Sequence, residues 1–321
     1  MKAAVLHAFG EAPRFEDFPD PTPEQGEVIV QVQASALNNI SKARAGGSHY
    51  DSYRQLPAVC GVDGVGLLED RTRVYCGNCR PPYGMMAQRA VVSQSWCVPV
   101  PDAVDSVTAA ALPNAALSSW LPLAFRAQIK PGETVLILGA TGVAGQLAIQ
   151  IARHLGARHI VAAGRNEQVL NTLPDLGADV VISLSQPDPE LEEAFGREAR
   201  HQHFDIILDY LWGRPAEVLV AALTGHDVTA EAHPTRYVSI GSIAGRAISL
   251  PSAALRSSGL EMYGSGGGSV SYQALFGLFP QVWALAASGK LRIDTEQVAL
   301  ADVENAWRRQ EVYGRRLVII P

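Results

Sequence analysis

Apolar positions run along this chain in two rhythms. Up to about residue 125 they alternate with polar ones in short stretches broken by Pro and Gly. That pattern predicts a mostly antiparallel domain with strands at Lys2–His7, Glu27–Ala36, Gly61–Leu68, Arg73–Tyr75 and Met85–Val92. Pro19-Asp20-Pro21-Thr22-Pro23 reads as a rigid connection between the first two. Near Val107–Trp120 an Ala- and Leu-rich helix follows, with Pro113 kinking or ending it. From Thr134 onward, buried-type strands at 134–139, 159–164, 179–182, 204–210, 237–241 and 260–264 alternate with helical stretches, among them Glu167–Leu173. Such alternation predicts a parallel sheet covered on both faces, hence an α/β fold of the doubly wound kind. Helix returns at Gln273–Ser288, and Arg316–Ile320 is a final strand. The expected domains are 1–125, completed by about 280–321, and 126–279.

The stretch from Thr134 to Ala152 carries candidate chemistry. A continuous apolar strand enters the turn Gly139-Ala140-Thr141-Gly142-Val143-Ala144-Gly145 and then a helix. Small residues let phosphates approach the backbone, and the helix start offers unpaired N–H groups with the positive end of its dipole. About twenty residues past the last glycine, the strand His159–Gly164 ends in Arg165. A dinucleotide fold reads the adenosine ribose at that point, and an arginine there suits the 2′-phosphate of NADPH rather than the bare hydroxyl of NAD.

Length and composition narrow the setting. At 321 residues the chain exceeds the usual single-core size, and 47% hydrophobic with 18% charged residues describes a globular protein with a large core. A net charge of −6 without a basic run excludes nucleic acid as the main partner. No apolar run reaches membrane-spanning length, and no signal peptide is recognisable after Met1-Lys2. Four irregularly spaced cysteines point to a reducing cytoplasm rather than a disulfide framework.

Several segments, in order, now identify a resemblance: Ala34-Ser35-Ala36-Leu37-Asn38, Cys60-Gly61-Val62-Asp63-Gly64-Val65-Gly66, the glycine turn, Leu176-Gly177-Ala178-Asp179, Val238-Ser239-Ile240-Gly241 and Gly314-Arg315-Arg316-Leu317-Val318. The chain resembles, over nearly its whole length, the zinc-free branch of the medium-chain dehydrogenase/reductase superfamily, the quinone oxidoreductase-like enzymes. The resemblance implies a GroES-like catalytic domain, a Rossmann domain and a homodimer joined edge to edge through the Rossmann sheets. It places Ala140, Thr141, Gly142 and Val143 on the pyrophosphate, and Gly164, Arg165 and Asn166 around the 2′-phosphate. It sets Gly241, Ser242 and Ile243 along the dinucleotide, and Ser265 and Gly266 near the nicotinamide amide. Two departures concern the substrate pocket: a short connection from Gly66 to Arg73, and Ser41 where many relatives have Asp.

The residues also speak to metal and nucleophile chemistry. Catalytic zinc needs three converging Cys, His or acidic ligands. Asn38-Asn39, Gly61-Val62-Asp63 and Asn114–Trp120 occupy the three places where zinc-dependent relatives carry them, so no metal is expected. Cys76-Gly77-Asn78-Cys79 lacks a second pair, and the eight histidines are scattered. No Gly-x-Ser-x-Gly elbow supports a hydrolase.

The expected chemistry is metal-free hydride transfer from NADPH to a quinone or an α,β-unsaturated carbonyl. The oxygen that gains charge needs donors. Asn38 is the first candidate by resemblance, and Tyr50 or Tyr53 could donate a hydrogen bond or proton. Lys42 and Ser118 are weaker candidates from position alone. The alternatives are a metal-independent ketone or aldehyde reductase, and a non-catalytic NADPH-binding redox sensor using Cys76 and Cys79. A methyltransferase on a similar sheet is disfavoured by Arg165 and the N-terminal β domain.

Overall fold

The computed structural model describes residues 1–47, 49–224, 233–269, 271–309 and 314–321. They fall into two units, Met1–Asn114 with Phe276–Pro321, and Ala115–Leu275. In chain order the first stretch holds β1 (Lys2–Leu6), β2 (Arg14–Asp17), β3 (Glu27–Leu37), α1 (Asn39–Ala45), β4 (Ala58–Val59), β5 (Asp63–Leu67), β6 (Arg73–Gly77), β7 (Arg89–Ser93), β8 (Val98–Pro99) and α2 (Ser106–Leu121). Next come β9 (Thr134–Leu138), α3 (Val143–His154), β10 (His159–Gly164), α4 (Glu167–Leu170), β11 (Val180–Ser183), α5 (Asp188–His201), β12 (Ile206–Asp209), α6 (Arg214–Leu223) and β13 (Thr235–Ser239). The chain continues through α7 (Ser252–Ser257), β14 (Leu260–Gly264), α8 (Tyr272–Ala287), β15 (Thr295–Ala299), α9 (Val303–Arg308) and β16 (Arg316–Ile320).

The first unit is built on β3. Val30, Val32 and Ala34 face inward while Gln31 and Gln33 lie between them, the period-two pattern of a half-buried strand. A register shift between Val32 and Ala34 bends the strand. It can therefore pair with β7 at its start, β5 in its middle and β16 at its end, all antiparallel. The sheet runs β15-β16-β3-β5-β6-β8, beside a small sheet β2-β1-β4.

The second unit is a parallel sheet in the order β11-β10-β9-β12-β13-β14. Every residue of β9 is buried, as helices on both faces require. Its core gathers Leu136, Val161, Phe195, Phe204, Leu219 and Tyr237. The chain leaves β9 toward β10 and later returns on its other side with β12, so the strand order reverses between β9 and β12. In sheets of this kind ligands bind beyond the strand C-termini at that reversal. Leu138, Asp209, Ser239 and Gly264 stand level there.

The structure corrects several sequence expectations. Pro113 lies inside α2, which continues to Leu121 and then passes into a π turn over Pro122–Arg126. Of Met85–Val92 only the second half is a strand. Met85 and Met86 instead donate backbone bonds to Gly61 and Cys60 at 3.1 and 2.8 Å. The helix expected to Leu173 ends at Leu170, and a separate 3₁₀ turn covers Leu173–Leu176. Strands β2, β4 and β8 and helix α1 carry too few alternating apolar residues to announce themselves. No helix among the described residues is long and apolar enough to cross a membrane.

Candidate active site

In the second unit, β9 delivers the chain into Gly139 with φ +92°, a left-handed conformation that glycine adopts without strain. Gly139 and Ala140 both donate to the Ala163 carbonyl at 2.9 Å, which ties the turn to β10. Helix α3 starts at Val143 with Gly142 as its N-cap, and no side chain caps it. Its first-turn N–H groups thus have no side-chain acceptor. Gly145 lets the helix sit against the strand: a Cβ there would lie 2.3 Å from the Gly139 carbonyl oxygen. Thr141 packs over Gly164, where a Cβ would come 2.4 Å from its methyl group. An exposed glycine cap, an uncapped dipole and a shoulder too tight for side chains together fit a pyrophosphate.

The other expected cofactor residues lie along the same edge of this sheet. Arg165 is exposed at the end of β10, and its carbonyl accepts from Ser185 Oγ at 3.3 Å. Asn166 uses its side-chain oxygen to cap α4 through the Val169 N–H at 3.0 Å, so only its NH₂ remains for a ligand. Gly241 donates to the Asp209 carbonyl at 3.2 Å, with Ser242 and Ile243 exposed after it. Ser265 donates to the Ser239 carbonyl at 2.9 Å, and Gly266 sits in a turn that Ser269 closes.

Sequence reasoning missed the scaffold beneath these turns. Asp209 is fully buried. Its carboxylate accepts from the Leu211 and Trp212 N–H groups at 2.7 and 3.0 Å and from the Tyr237 hydroxyl at 2.6 Å. Burial pushes its pKa up, while those three donors pull it down. An Asp at the end of a buried strand, two residues before a backbone it can cap, was the available signal.

The candidate catalytic residues lie in the first unit, and there the expected roles are reshaped. Asn38 is buried and caps α1: its Oδ1 accepts from Ser41 N at 2.8 Å and from Ser41 Oγ at 2.9 Å. That obligatory backbone donor fixes which end of the amide is oxygen. The Nδ2 end therefore donates to Asp63 Oδ1, at 3.2 Å, and one N–H remains uncommitted. Asp63 also accepts from the Tyr75 hydroxyl at 2.7 Å. Burial raises its pKa to about 6, with Tyr75 and the Arg316 guanidinium pulling it down. Arg316 is itself buried and donates to the Leu37 carbonyl at 3.1 Å.

Tyr50 is 82% exposed with its ring tilted against His49, whereas Tyr53 packs into the core formed by Leu6, Leu37, Cys60 and Leu317. The Tyr53 hydroxyl is buried without a hydrogen-bond partner, beneath the Arg44 guanidinium 4.9 Å from the ring centre. Lys42 is half-buried, and its ammonium lies 3.5 Å from the Arg309 carbonyl. Ser118, which belongs to the second unit, donates its hydroxyl to the Ala115 carbonyl at 2.7 Å within its own helix. The four cysteines are free thiols, and burial holds their pKa values up, to about 12 for Cys60 and Cys79 and about 11 for Cys97. Among the described residues no three or more His, Cys, Asp or Glu side chains could hold a metal ion.

Comparison with known proteins agrees with this architecture. A family model described as zinc-binding dehydrogenase matches residues 143–288. That span opens at α3 and includes neither Asn38 nor Gly61–Asp63. A probable NADPH-dependent quinone reductase of Emericella nidulans is 25% identical over 366 aligned positions, covering all of both chains. An NADPH-dependent alkenal/one oxidoreductase of Arabidopsis thaliana is 27% identical over 53% of this chain and 48% of its own length. The quinone oxidoreductase of Thermus thermophilus, solved also in complex with NADPH, matches over the full length of both chains with a TM-score of 0.79 and 27% identity. That of Pseudomonas syringae shares the fold at a TM-score of 0.85 and 24% identity, over all of this chain and 99% of its own. By its fold, the order of its motifs and these likenesses, the chain belongs to the quinone oxidoreductase-like branch of the medium-chain dehydrogenase/reductase superfamily.

Proposed function

We propose that the chain is an NADPH-dependent oxidoreductase that reduces a quinone or an α,β-unsaturated carbonyl without a metal. The observation that carries this reading is the uncapped start of α3, set behind a turn of small residues and followed by Arg165 at the end of β10. NADPH, when bound, supplies the hydride. The chain's residues do the rest: the first-turn N–H groups of α3 hold the pyrophosphate, and the Arg165 fork pairs with the 2′-phosphate. The uncommitted N–H of Asn38 donates to the acceptor's carbonyl oxygen as charge builds there. The completing proton comes from solvent, because the Tyr53 hydroxyl is enclosed in the first unit's core and burial raises its pKa, which makes it a poor acid. The names of the relatives support the acceptor class, quinone in one case and alkenal or alkenone in another. The side chains at the zinc-ligand positions support the metal-free reading, since Asn38 and Asp63 are hydrogen-bonded to each other rather than open to an ion.

The test is NADPH oxidation by purified protein with a quinone, an enone and a simple aldehyde, with and without EDTA. Turnover on the first two that EDTA leaves unchanged is expected. Loss of activity with the chelator overturns the metal-free reading, and turnover on the aldehyde alone overturns the acceptor class. Arg165→Ala should raise KM for NADPH at least about tenfold more than KM for NADH, and equal effects would remove Arg165 from its role. The homodimer is proposed through an edge of the parallel sheet, where β11 and β14 each have a strand neighbour on one side only among the described residues. A monomer mass in sedimentation equilibrium would overturn it.

A further inference from the structure

We propose that Tyr210 and Ser119 form a hydroxyl latch that sets the geometry of the dinucleotide cradle, which makes them positioning residues for NADPH. The inference rests on the reading that the cradle takes this cofactor. Tyr210 follows Asp209 at the end of β12, next to the reversal of the strand order, and lies against two of the turns the dinucleotide would cross. Its backbone N–H donates to the Leu138 carbonyl at 3.1 Å, at the last residue of β9. A Cβ at Gly139 would come 3.3 Å from the Tyr210 Cβ, and one at Gly241 would come 2.5 Å from the Tyr210 carbonyl oxygen. The β9 turn and the β13 turn therefore both close on this one residue.

Its side chain reaches the third part of the cradle. The Tyr210 hydroxyl is buried, 2.8 Å from Ser119 Oγ and 3.2 Å from the Ser118 carbonyl. Ser119 is fully buried on α2, with its Oγ 3.0 Å from the Ala144 carbonyl and 3.2 Å from the Ala115 carbonyl. Each hydroxyl has one proton to give. The shortest consistent arrangement has Tyr210 donating to Ser119, and Ser119 donating to Ala144. Ala144 is the second residue of α3, inside the turn whose N–H groups face the pyrophosphate. The relay thus runs from the end of β12 to the first turn of α3 and fixes where those donors aim.

Packing alone does not call for this pair. Phe and Ala would fill almost the same space, and replacing both hydrogen-bonding partners by apolar groups is often nearly neutral for stability. The hydroxyls add direction, and a misplacement of a few tenths of an ångström in the first turn weakens every donor to an anion at once. Burial raises the Tyr210 pKa, so the phenol stays a donor throughout the working range.

The experiment is equilibrium NADPH binding, read by nicotinamide fluorescence, together with thermal unfolding for wild type, Tyr210→Phe, Ser119→Ala and the double variant. We expect Kd to rise about tenfold in each single variant and no further in the double, since the latch breaks once. KM for NADPH should follow Kd, while kcat at saturating cofactor moves far less. A Kd within about twofold of wild type in Ser119→Ala overturns the latch, as do single effects that simply add in the double variant. If Tyr210→Phe fails to fold, Ser119→Ala alone decides, because it keeps the aromatic ring in place. Wild-type protein that binds no NADPH overturns the cofactor reading itself, and the latch with it.

Discussion

At the scale of single residues, Asp63 shows how burial and partners compete. Its carboxylate faces the Tyr75 hydroxyl, the Asn38 amide and, through space, Arg316, yet desolvation outweighs them and leaves the pKa at about 6. The folded state therefore holds a proton that the unfolded chain releases near 3.8. Stability from this group is fully present below that value and is lost as pH rises through about 6. Unfolding of wild type followed between about pH 4 and 7 should show that loss, on the order of 2 kcal/mol. In Asp63→Asn it should be absent, and an unchanged slope would assign the titration to another group. This network was not legible in the sequence, because Asn38, Asp63, Tyr75 and Arg316 lie in four separate segments with no shared motif. Asn38 itself was visible, but its bond to Asp63 needed the fold to bring β5 beside the end of β3.

Among the elements, α3 was the most legible and is the most constrained. Its apolar positions, its glycine cap and the basic Arg153 and His154 in its last turn all agree on one helix in one place. The constraint has a consequence at Gly145, whose missing Cβ would meet backbone on the other side. Gly145→Ala must push α3 off the strand, with an expected loss of about 2 kcal/mol or more in stability and weaker NADPH binding. Unchanged values of both in urea unfolding and a binding titration would show that the helix has room to shift. α2 taught the opposite lesson. Pro113 is a strong breaker by local rules, yet the helix runs through it, because buried Ala and Leu on either side hold it in place. Short elements such as β4 and β8 were illegible for a simpler reason: two residues cannot display a period.

For the molecule as a whole, each unit has its own sheet or sheets and its own core, and the proposed cofactor cradle lies entirely within the second. Phe195 is fully buried in that unit's core, so Phe195→Ala should cost about 3–5 kcal/mol. NADPH at about a hundred times its Kd should return about 2.7 kcal/mol of that loss, as it would stabilise wild type. A calorimetric scan in which NADPH leaves the unfolding temperature of both proteins unmoved would contradict a cradle in the native state.

The four thiols bear on the substrate the protein is proposed to meet. Quinones and enones are soft electrophiles that alkylate thiolates, so such an enzyme risks being consumed by its own acceptor. Cys60 and Cys76 are buried, and burial holds the pKa of all four cysteines far above neutrality. The nucleophilic form is scarce at every one of them. The packing of the first unit should therefore slow alkylation of the protein by its proposed acceptor, and rapid loss of all four free thiols to a quinone would contradict this.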